Sequence, residues 1–178
     1  VALVGLSVTV PQIVMDFREE GRYSTNDMLS LEGKTAILTM GNYPESDDFA
    51  RPRLILRGHD GNGFELEKEF EARGRNRKAA LEYAQMVSYE VEVEDSTISF
   101  PPVFTFSDNA MFRDQEVEVI LHIPYQYPFM IDRELGLILR NTLYRDGFSI
   151  SDVRDNTFMF TEQGLECISC EERENLDD

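Results

Sequence analysis

The sequence is poor in positive charge. Its 178 residues include 17 Lys and Arg but 34 Asp and Glu, which gives a formal net charge of −17 and a pI near 4.4. Contacts with nucleic-acid phosphates and with anionic lipid surfaces both need patches of Lys and Arg. We therefore expect no nucleic-acid partner and no binding to an anionic lipid surface. The acidic surface is typical of a domain that stays soluble through charge repulsion.

Long hydrophobic runs are also missing. Residues 1–10 are almost wholly apolar, but a helix that crosses a bilayer needs about 20 such residues. Residues 1–6 are therefore either the end of a trimmed transmembrane segment or the beginning of a strand, and the β-branched residues of 7–17 favour a strand. With 42% apolar residues the chain can form one core. We expect a single β-rich domain over residues 1–170 and an acidic tail over residues 171–178.

Motifs for catalysis or cofactor binding are absent from the sequence. Of the two histidines, His59 lies in a predicted turn and His122 on a predicted strand, and neither belongs to a spacing such as His-Glu-x-x-His. The glycines of residues 58–63 lack the Lys-Ser/Thr of a phosphate-binding loop. Ser-Asp-Asn at 107–109 lacks its companion motifs, and residues 47–48 lack the spacing of a calcium loop. We predict a non-enzymatic domain with no metal and no cofactor.

Cysteine is scarce, and the two present form one Cys-x-x-Cys at Cys167 and Cys170. A zinc site would need two more ligands, and the chain offers neither a second cysteine pair nor a histidine pair. A redox motif of this spacing normally follows a strand and opens a helix. The pair therefore indicates a short disulfide or two unreactive thiols, and the alternative is an intermolecular link through a disulfide or a metal. A short disulfide would fit an extracytoplasmic domain.

What the sequence does contain is strands, and the clearest lies within residues 112–124. Apolar residues alternate there with polar ones, which is the period of a half-buried strand. Pro124 ends the pattern because it cannot donate a backbone hydrogen bond. The apolar positions are Val117, Val119, Leu121 and Ile123, and the polar ones include Glu116, Glu118 and His122.

A second pattern surrounds the turn at residues 58–63. Its Asp-Gly and Asn-Gly pairs provide the positive φ angles of tight turns, so we expect residues 53–57 and 64–72 to form a hairpin. The second arm has one apolar face and one face of glutamates. Arg53 and Arg57 on the first arm are expected to neutralise part of that glutamate ladder. The apolar face consists of Phe64, Leu66, Phe70 and Ala72, and the ladder of Glu65, Glu67, Glu69 and Glu71.

One helix is predicted, over residues 77–87. Asn76 is suited to cap its N-terminus, and Ala80, Ala84 and Val87 have the spacing of one buried stripe. The remaining elements are expected to be strands bounded by turn residues. They lie at residues 35–40, 89–94, 97–100, 129–131, 136–139 and 158–160.

Glutamates recur on the outward side of the predicted strands. Glu90, Glu92 and Glu94 lie on one strand, and Glu116 and Glu118 lie on another. Neighbouring strands with like charges repel each other unless a cation bridges them. These five glutamates are therefore a candidate interaction face for a basic partner, and simple solvation is the alternative.

Three segments in the same order carry a resemblance to a known family. Residues 72–80, residues 112–124 and the closing residues 156–170, which end in Thr-Glu-Gln-Gly-Leu-Glu-Cys-Ile-Ser-Cys, resemble the region after the membrane span in phage shock protein C (PspC) domain proteins of the Bacteroidetes type. The similarity covers roughly residues 73–170. A Trp usually precedes Thr-Glu in that family, whereas this chain has Phe158 and Phe160 there.

The resemblance implies a location and a role. Such proteins resemble membrane-anchored components of an envelope stress response, with the β-rich part on the extracytoplasmic, periplasmic side of the inner membrane and a span upstream of it. It also implies kinship to adhesin-type domains built as β-solenoids. The implied partners are other envelope or membrane proteins, and an oligomer is compatible with this.

These observations lead to one expectation for the fold and one for the function. We expect a mainly β domain, solenoid-like or made of curved stacked sheets, with one helix, and an antiparallel β-sandwich as the alternative. We expect a non-enzymatic extracytoplasmic sensing or interaction domain. The alternatives are an adhesin-like surface domain that binds a ligand and an enzyme without a recognisable motif.

Overall fold

The computed structural model describes residues 19–43, 49–107 and 114–170. Within them it contains thirteen strands, one α-helix (α1, Arg77–Ala84) and three 3-10 helices (Arg133–Leu137, Tyr144–Asp146 and Ile150–Val153). The strands in chain order are β1 (Glu19–Leu29), β2 (Ala36–Met40), β3 (Phe49–Ala50), β4 (Arg53–His59), β5 (Phe64–Gly74), β6 (Val87–Ser88), β7 (Glu92–Glu94), β8 (Thr97–Phe100), β9 (Phe104–Phe106), β10 (Glu116–Pro124), β11 (Phe129–Ile131), β12 (Thr157–Thr161) and β13 (Gly164–Cys167).

The predictions for residues 1–6, 7–17, 47–48 and 171–178 lie outside the described residues. The same holds for most of the 107–109 tripeptide and for the first part of the 112–124 segment.

Strand β10 lies inside a four-stranded sheet with the order β1-β5-β10-β4. It is antiparallel to β5 and parallel to β4. Its odd-numbered side chains from Val117 to Ile123 are buried, so the predicted strand and its apolar face are confirmed. Ile120 is also buried, although it lies on the opposite face. There it is flanked by Ile55 and by the long side chains of charged neighbours, whose stems can cover an apolar residue.

The predicted hairpin of β4 and β5 is wrong in its pairing. Both strands form where expected, but β10 lies between them and pairs with each. Strands β4 and β5 are therefore two strand spacings apart, about 10 Å, instead of one. The glycine-rich turn at residues 58–63 allows the chain to reverse, but it does not decide which strand fills the space between the two arms.

A six-stranded sheet has the order β13-β12-β11-β2-β8-β7, and β3, β9 and β6 form a small third sheet. Parallel pairs occur between β2 and β8, between β2 and β11, and between β4 and β10. The described residues are thus mainly β with one α-helix, and the fold is solenoid-like, as predicted. The alternative of an antiparallel β-sandwich is excluded for the described residues by these parallel pairs.

Helix α1 packs on β1 and β5. The Asn76 side chain accepts a hydrogen bond from the Ala79 N–H at 2.8 Å, which confirms the predicted cap. The helix ends at Ala84 instead of residue 87, and Val87 is a buried residue of β6. Gly74 permits close approach of the helix, because a Cβ there would lie 2.5 Å from the backbone nitrogen of Ala80.

The other strand predictions have mixed outcomes. Strands β2, β8, β11 and β12 lie where predicted, whereas residues 89–94 form a strand only at Glu92–Glu94. The strand predicted at residues 136–139 is wrong, because Arg133–Leu137 is a 3-10 helix and only Leu139 makes an isolated bridge, to Leu54. An apolar run this short does not distinguish a strand from one turn of helix.

One core joins the four-stranded and six-stranded sheets. It is rich in phenylalanine and in branched aliphatic residues, which are the types that most often become fully buried. The largest side chains with almost no exposure are Phe100, Phe104, Phe129, Phe158, Leu38, Leu54, Ile98, Leu121, Ile123, Leu135, Ile138 and Val117.

Candidate interaction site

The outer face of the four-stranded sheet gathers the glutamates of two strands. In the ladder between β10 and β5, Glu116 lies opposite Glu71, and Glu118 lies opposite Glu69. We call this surface the glutamate face, and it comprises Glu65, Glu67, Glu69, Glu71, Glu116 and Glu118. Opposed carboxylates repel each other, so the face needs cations within contact distance.

Two arginines on flanking strands supply most of that positive charge. Arg22 on β1 lies 3.3 Å from Glu69 through Nε and donates a hydrogen bond to Glu71. That hydrogen bond to the Glu71 carboxylate, followed by the charge of Glu69, raises the pKa of Arg22. Arg53 on β4 lies 3.1 Å from Glu116 and 3.5 Å from Glu118. Arg53 thus pairs with β10 and not with the β5 ladder, because β10 separates β4 from β5.

The two histidines meet at one end of this face. His122 Nε2 lies 3.2 Å from the Glu67 carboxylate, and the His59 ring centroid is 5.8 Å from that of His122. His59 Nε2 is hydrogen-bonded to the Gly63 carbonyl at 2.8 Å. No group of three or more His, Cys, Asp and Glu side chains among the described residues is arranged to hold a metal ion.

The structure divides the predicted interaction face between two sheets. Glu116 and Glu118 belong to the glutamate face, whereas Glu92 and Glu94 lie on β7 at an edge of the six-stranded sheet. Glu90 is exposed just before β7. The interaction role of these five residues stays a prediction.

A long sheet edge lies beside the glutamate face. Strand β1 pairs with β5 over its full eleven residues and is the last strand of the four-stranded sheet, so no described strand pairs with its other side. Eight of its eleven residues are exposed, and Met28 is 67% exposed. A sheet edge presents a row of backbone N–H and C=O groups that can pair with another strand.

A cleft of about 400 Å³ opens at the other edge of this sheet. It lies between the end of β4, the 3-10 helix Tyr144–Asp146 and the turn between β12 and β13. We call it the arginine cleft, and its walls include Arg57, Gly58, Tyr125, Arg145, Phe160 and Gln163.

The arginine cleft was missed by the sequence analysis. The prediction that Arg57 neutralises the glutamate ladder is wrong, because Arg57 makes no ion pair with any described residue and lies at the cleft instead. Arg145 is 88 positions away along the chain, so no local spacing links the two side chains. A weak signal exists in the left-handed backbone of Asn141, where φ is 53°, because this conformation is typical of Asn and marks a turn.

Cys167 and Cys170 form a disulfide at the end of β13, with their Cα atoms 5.6 Å apart. The Cys170 N–H also donates to the Cys167 sulfur at 3.0 Å. This matches the intramolecular alternative of the sequence analysis. The bridge closes a very short loop, so it can order only the immediate turn.

The comparisons with known proteins support a family assignment. No helix among the described residues is long and apolar enough to cross a membrane. No curated protein and no solved structure matches the chain. A family model described as the toast-rack domain found in some PspC proteins matches residues 51–173, which is more than half of the chain. The chain therefore belongs to the family of toast-rack domains from the C-terminal region of PspC proteins.

Proposed function

We propose that this chain is a non-enzymatic interaction domain of a membrane-anchored PspC-like protein. In the full-length protein it would lie on the extracytoplasmic, periplasmic side of the inner membrane and would act in an envelope stress response. Membership of the PspC toast-rack family supports the context. The interaction role is supported by the surfaces of the four-stranded sheet.

The edge of β1, with which no other described strand pairs, is the observation that carries the proposal. Eleven residues in extended conformation form a continuous row, and most of their side chains are exposed. A partner that added a strand there would make backbone hydrogen bonds along the row, and side chains at alternate positions would give selectivity. Natural proteins usually shorten or cover such an edge, and no described strand covers this one, which supports a partner strand there.

The chemistry beside the edge indicates what the partner strand would carry. On the outer face, Arg22 is already paired with two glutamates, while Ser24 and Asn26 are exposed and uncharged. A partner strand added to β1 would lie two strands away from β5. Basic side chains on it would be attracted by the negative charge of the glutamate face. We infer a protein partner in the envelope or membrane, or a second copy of the chain, and no nucleic acid.

Adhesin-like ligand binding is the second candidate. Tyr125 and Phe160 at the arginine cleft are the aromatic residues that such a role would use. The cleft is lined mainly by polar side chains, however, whereas pockets for small ligands are predominantly apolar. The edge of β1 therefore has priority over the cleft as the basis of the main function.

The test uses proline variants of the full-length protein. Successive N–H groups of a strand point to opposite sides, so one of Ser24→Pro and Thr25→Pro removes an N–H from the open edge and the other removes one that faces β5. The variant that keeps the wild-type melting temperature is the one that blocks the edge. Ser24→Ala and Thr25→Ala keep both N–H groups and are the matched controls.

Each protein is crosslinked in native membranes with and without envelope stress. Wild type and the alanine controls should recover the same membrane protein, or a second copy, and the edge-blocking proline variant should lose it. Recovery of no membrane partner under either condition would contradict the proposal. Equal recovery by the edge-blocking variant would show that β1 is not the binding edge.

A further inference from the structure

We propose that the arginine cleft binds the C-terminal carboxylate of an extended peptide, which adds as a short strand to the open end of β4. The site is separate from β1, on the opposite edge of the four-stranded sheet. The inference therefore stands independently of the function proposed above. It rests on the backbone of β4, on two unpaired arginines and on the shape that Gly58 permits.

The edge of β4 is covered over its first half only. The Leu54 N–H donates to the Ile138 carbonyl at 2.9 Å, and the Leu54 carbonyl accepts from the Arg140 N–H at 2.7 Å. At Leu56 the backbone pairing stops, and its N–H donates instead to the Thr142 hydroxyl at 3.0 Å. Backbone pairing along this edge of β4 is thus replaced by a single hydrogen bond to a side chain where the cleft begins.

The chain leaves the edge for a local reason. Asn141 has a left-handed backbone, which turns the covering segment away from β4 and into the 3-10 helix Tyr144–Asp146. Alternate residues of a strand direct their backbone groups to the same side. The Leu56 carbonyl and the backbone groups of Gly58 therefore point toward the same edge as Leu54, into the arginine cleft.

Gly58 restricts access to that edge. A Cβ at this position would lie 2.5 Å from Phe160 Cβ and 2.6 Å from Tyr125 Cε1. The two rings therefore pack directly on the Gly58 backbone and close the inner side of the strand. A ligand is therefore kept from the inner side but can reach the Gly58 backbone along the edge, in the plane of the sheet, which is how an added strand binds.

The positive charge at the cleft has no partner within the described residues. Arg22, Arg53 and Arg73 each contact two acidic side chains, whereas Arg57 and Arg145 form no ion pair with a described residue. Other arginines, such as Arg133, also form no ion pair with a described residue, but Arg57 and Arg145 line the same cleft. Guanidinium groups bind carboxylates through two parallel hydrogen bonds.

Two acidic residues also line the cleft, and they define where the carboxylate cannot bind. Asp146 faces the β12–β13 turn, since its Oδ1 lies 2.5 Å from where a Gly164 Cβ would be, and Glu162 is exposed on that turn. The negative charge is thus on the side of the turn. The ligand carboxylate is expected on the side of β4, between Arg57 and Arg145.

The test begins with two pooled libraries of random hexapeptides, one with free C-terminal carboxylates and one with amidated C-termini. The purified domain should enrich peptides from the first library and not from the second. The strongest peptide is then titrated against wild type, and binding should slow hydrogen exchange at the Gly58 amide. Slower exchange is the sign of strand addition, because capture of the carboxylate alone would leave that amide unpaired.

Arginine variants complete the test. Arg57→Gln and Arg145→Gln should each weaken binding of that peptide about tenfold, because each removes charge-assisted hydrogen bonds. Arg133→Gln is the matched control, since Arg133 is exposed, lies outside the cleft and forms no ion pair with a described residue. It should leave affinity unchanged. The proposal fails if no free-carboxylate peptide is enriched, if amidated peptides bind equally well, if acetate competes as strongly as the peptide, or if Gly58 exchange is unaffected.

Discussion

The inner and outer faces of the four-stranded sheet are held by different forces. On the inner face, helix α1 lies against the backbone at Gly21 and Gly74, and apolar side chains join the core shared with the six-stranded sheet. On the outer face, carboxylates and arginines contact one another in water. Close packing is sensitive to a single added methyl group, whereas exposed ion pairs contribute about 0–1 kcal/mol each. The inner face should therefore set stability, and the outer face is free to serve recognition.

The largest effect is expected from Gly21→Ala on the inner face. The new Cβ would lie 2.5 Å from the Ala80 carbonyl carbon, and backbone of a packed helix cannot yield as a flexible side chain can. We expect a loss of about 3 kcal/mol and a melting temperature lower by about 10 °C. Gly63→Ala is the control, because its Cβ would meet only the terminal methyl of exposed Met28. Equal melting temperatures for the two variants would show that close packing on the inner face does not set the stability.

A buried hydroxyl should make stability depend on alkaline pH. Tyr89 donates to the Pro101 carbonyl at 2.9 Å, and burial raises its pKa well above the ordinary value near 10. Above pH 10 the unfolded chain loses this proton and the native state keeps it, so stability falls as pH rises. The loss from this group is about 1.4 kcal/mol at pH 11.

Tyr89→Phe isolates that contribution. At pH 7 the variant should be less stable by about 1 kcal/mol, because the Pro101 carbonyl loses its donor. Denaturant unfolding from pH 7 to pH 11 should show the wild-type advantage disappear near the upper limit. A constant difference between the two proteins across this range would mean that Tyr89 ionises equally in both states.

A smaller effect is expected on the outer face. Arg53→Met keeps the apolar stem but removes the cation next to Glu116 and Glu118. We expect a loss of about 0.5 kcal/mol at low salt, and most of this difference should vanish in 1 M NaCl because salt screens exposed charges. Arg133→Met serves as the control without an ion pair to a described residue. A loss of several kcal/mol that persisted in salt would show that the ion pairs of the glutamate face are needed for stability.

The smallest effect is expected from the disulfide. Replacing Cys167 and Cys170 by serine together should leave the melting temperature nearly unchanged, because stabilisation by a cross-link decreases with the length of the loop it closes. Calorimetry of the double variant under non-reducing conditions measures this directly. A drop of more than about 10 °C, which implies several kcal/mol, would show that the bridge clamps the fold.

Local patterns predicted which face of each strand is buried but not which strands pair with each other. Alternation of side chains fixes which residues of β10 and β5 point inward, and the structure has them so. Asn76 was identified as a cap because its role depends on residues only three positions away. The hairpin failed because the insertion of β10 between β4 and β5 is decided by contacts far apart in the sequence.

The surfaces follow the same rule. The glutamates of β5 were predicted to share a face, since period 2 requires it, but their meeting with those of β10 depended on sheet order. The arginine cleft draws Arg57, Arg145 and Gln163 from three separate segments, and no spacing relates them. The region of residues 133–153 was hard to assign because 3-10 turns leave no regular apolar period.

The position of β10 between β4 and β5 also constrains the order of events in folding. The turn at residues 58–63 favours an early hairpin of β4 and β5, yet the native sheet needs these strands apart until a segment from more than forty residues later enters. Such long-range insertion slows folding and exposes unpaired strands meanwhile. We expect pulsed hydrogen exchange during refolding to show β4 and β5 gaining stable protection together with β10. Earlier protection of β4 and β5 would reveal a non-native hairpin that must open before the chain reaches its final form.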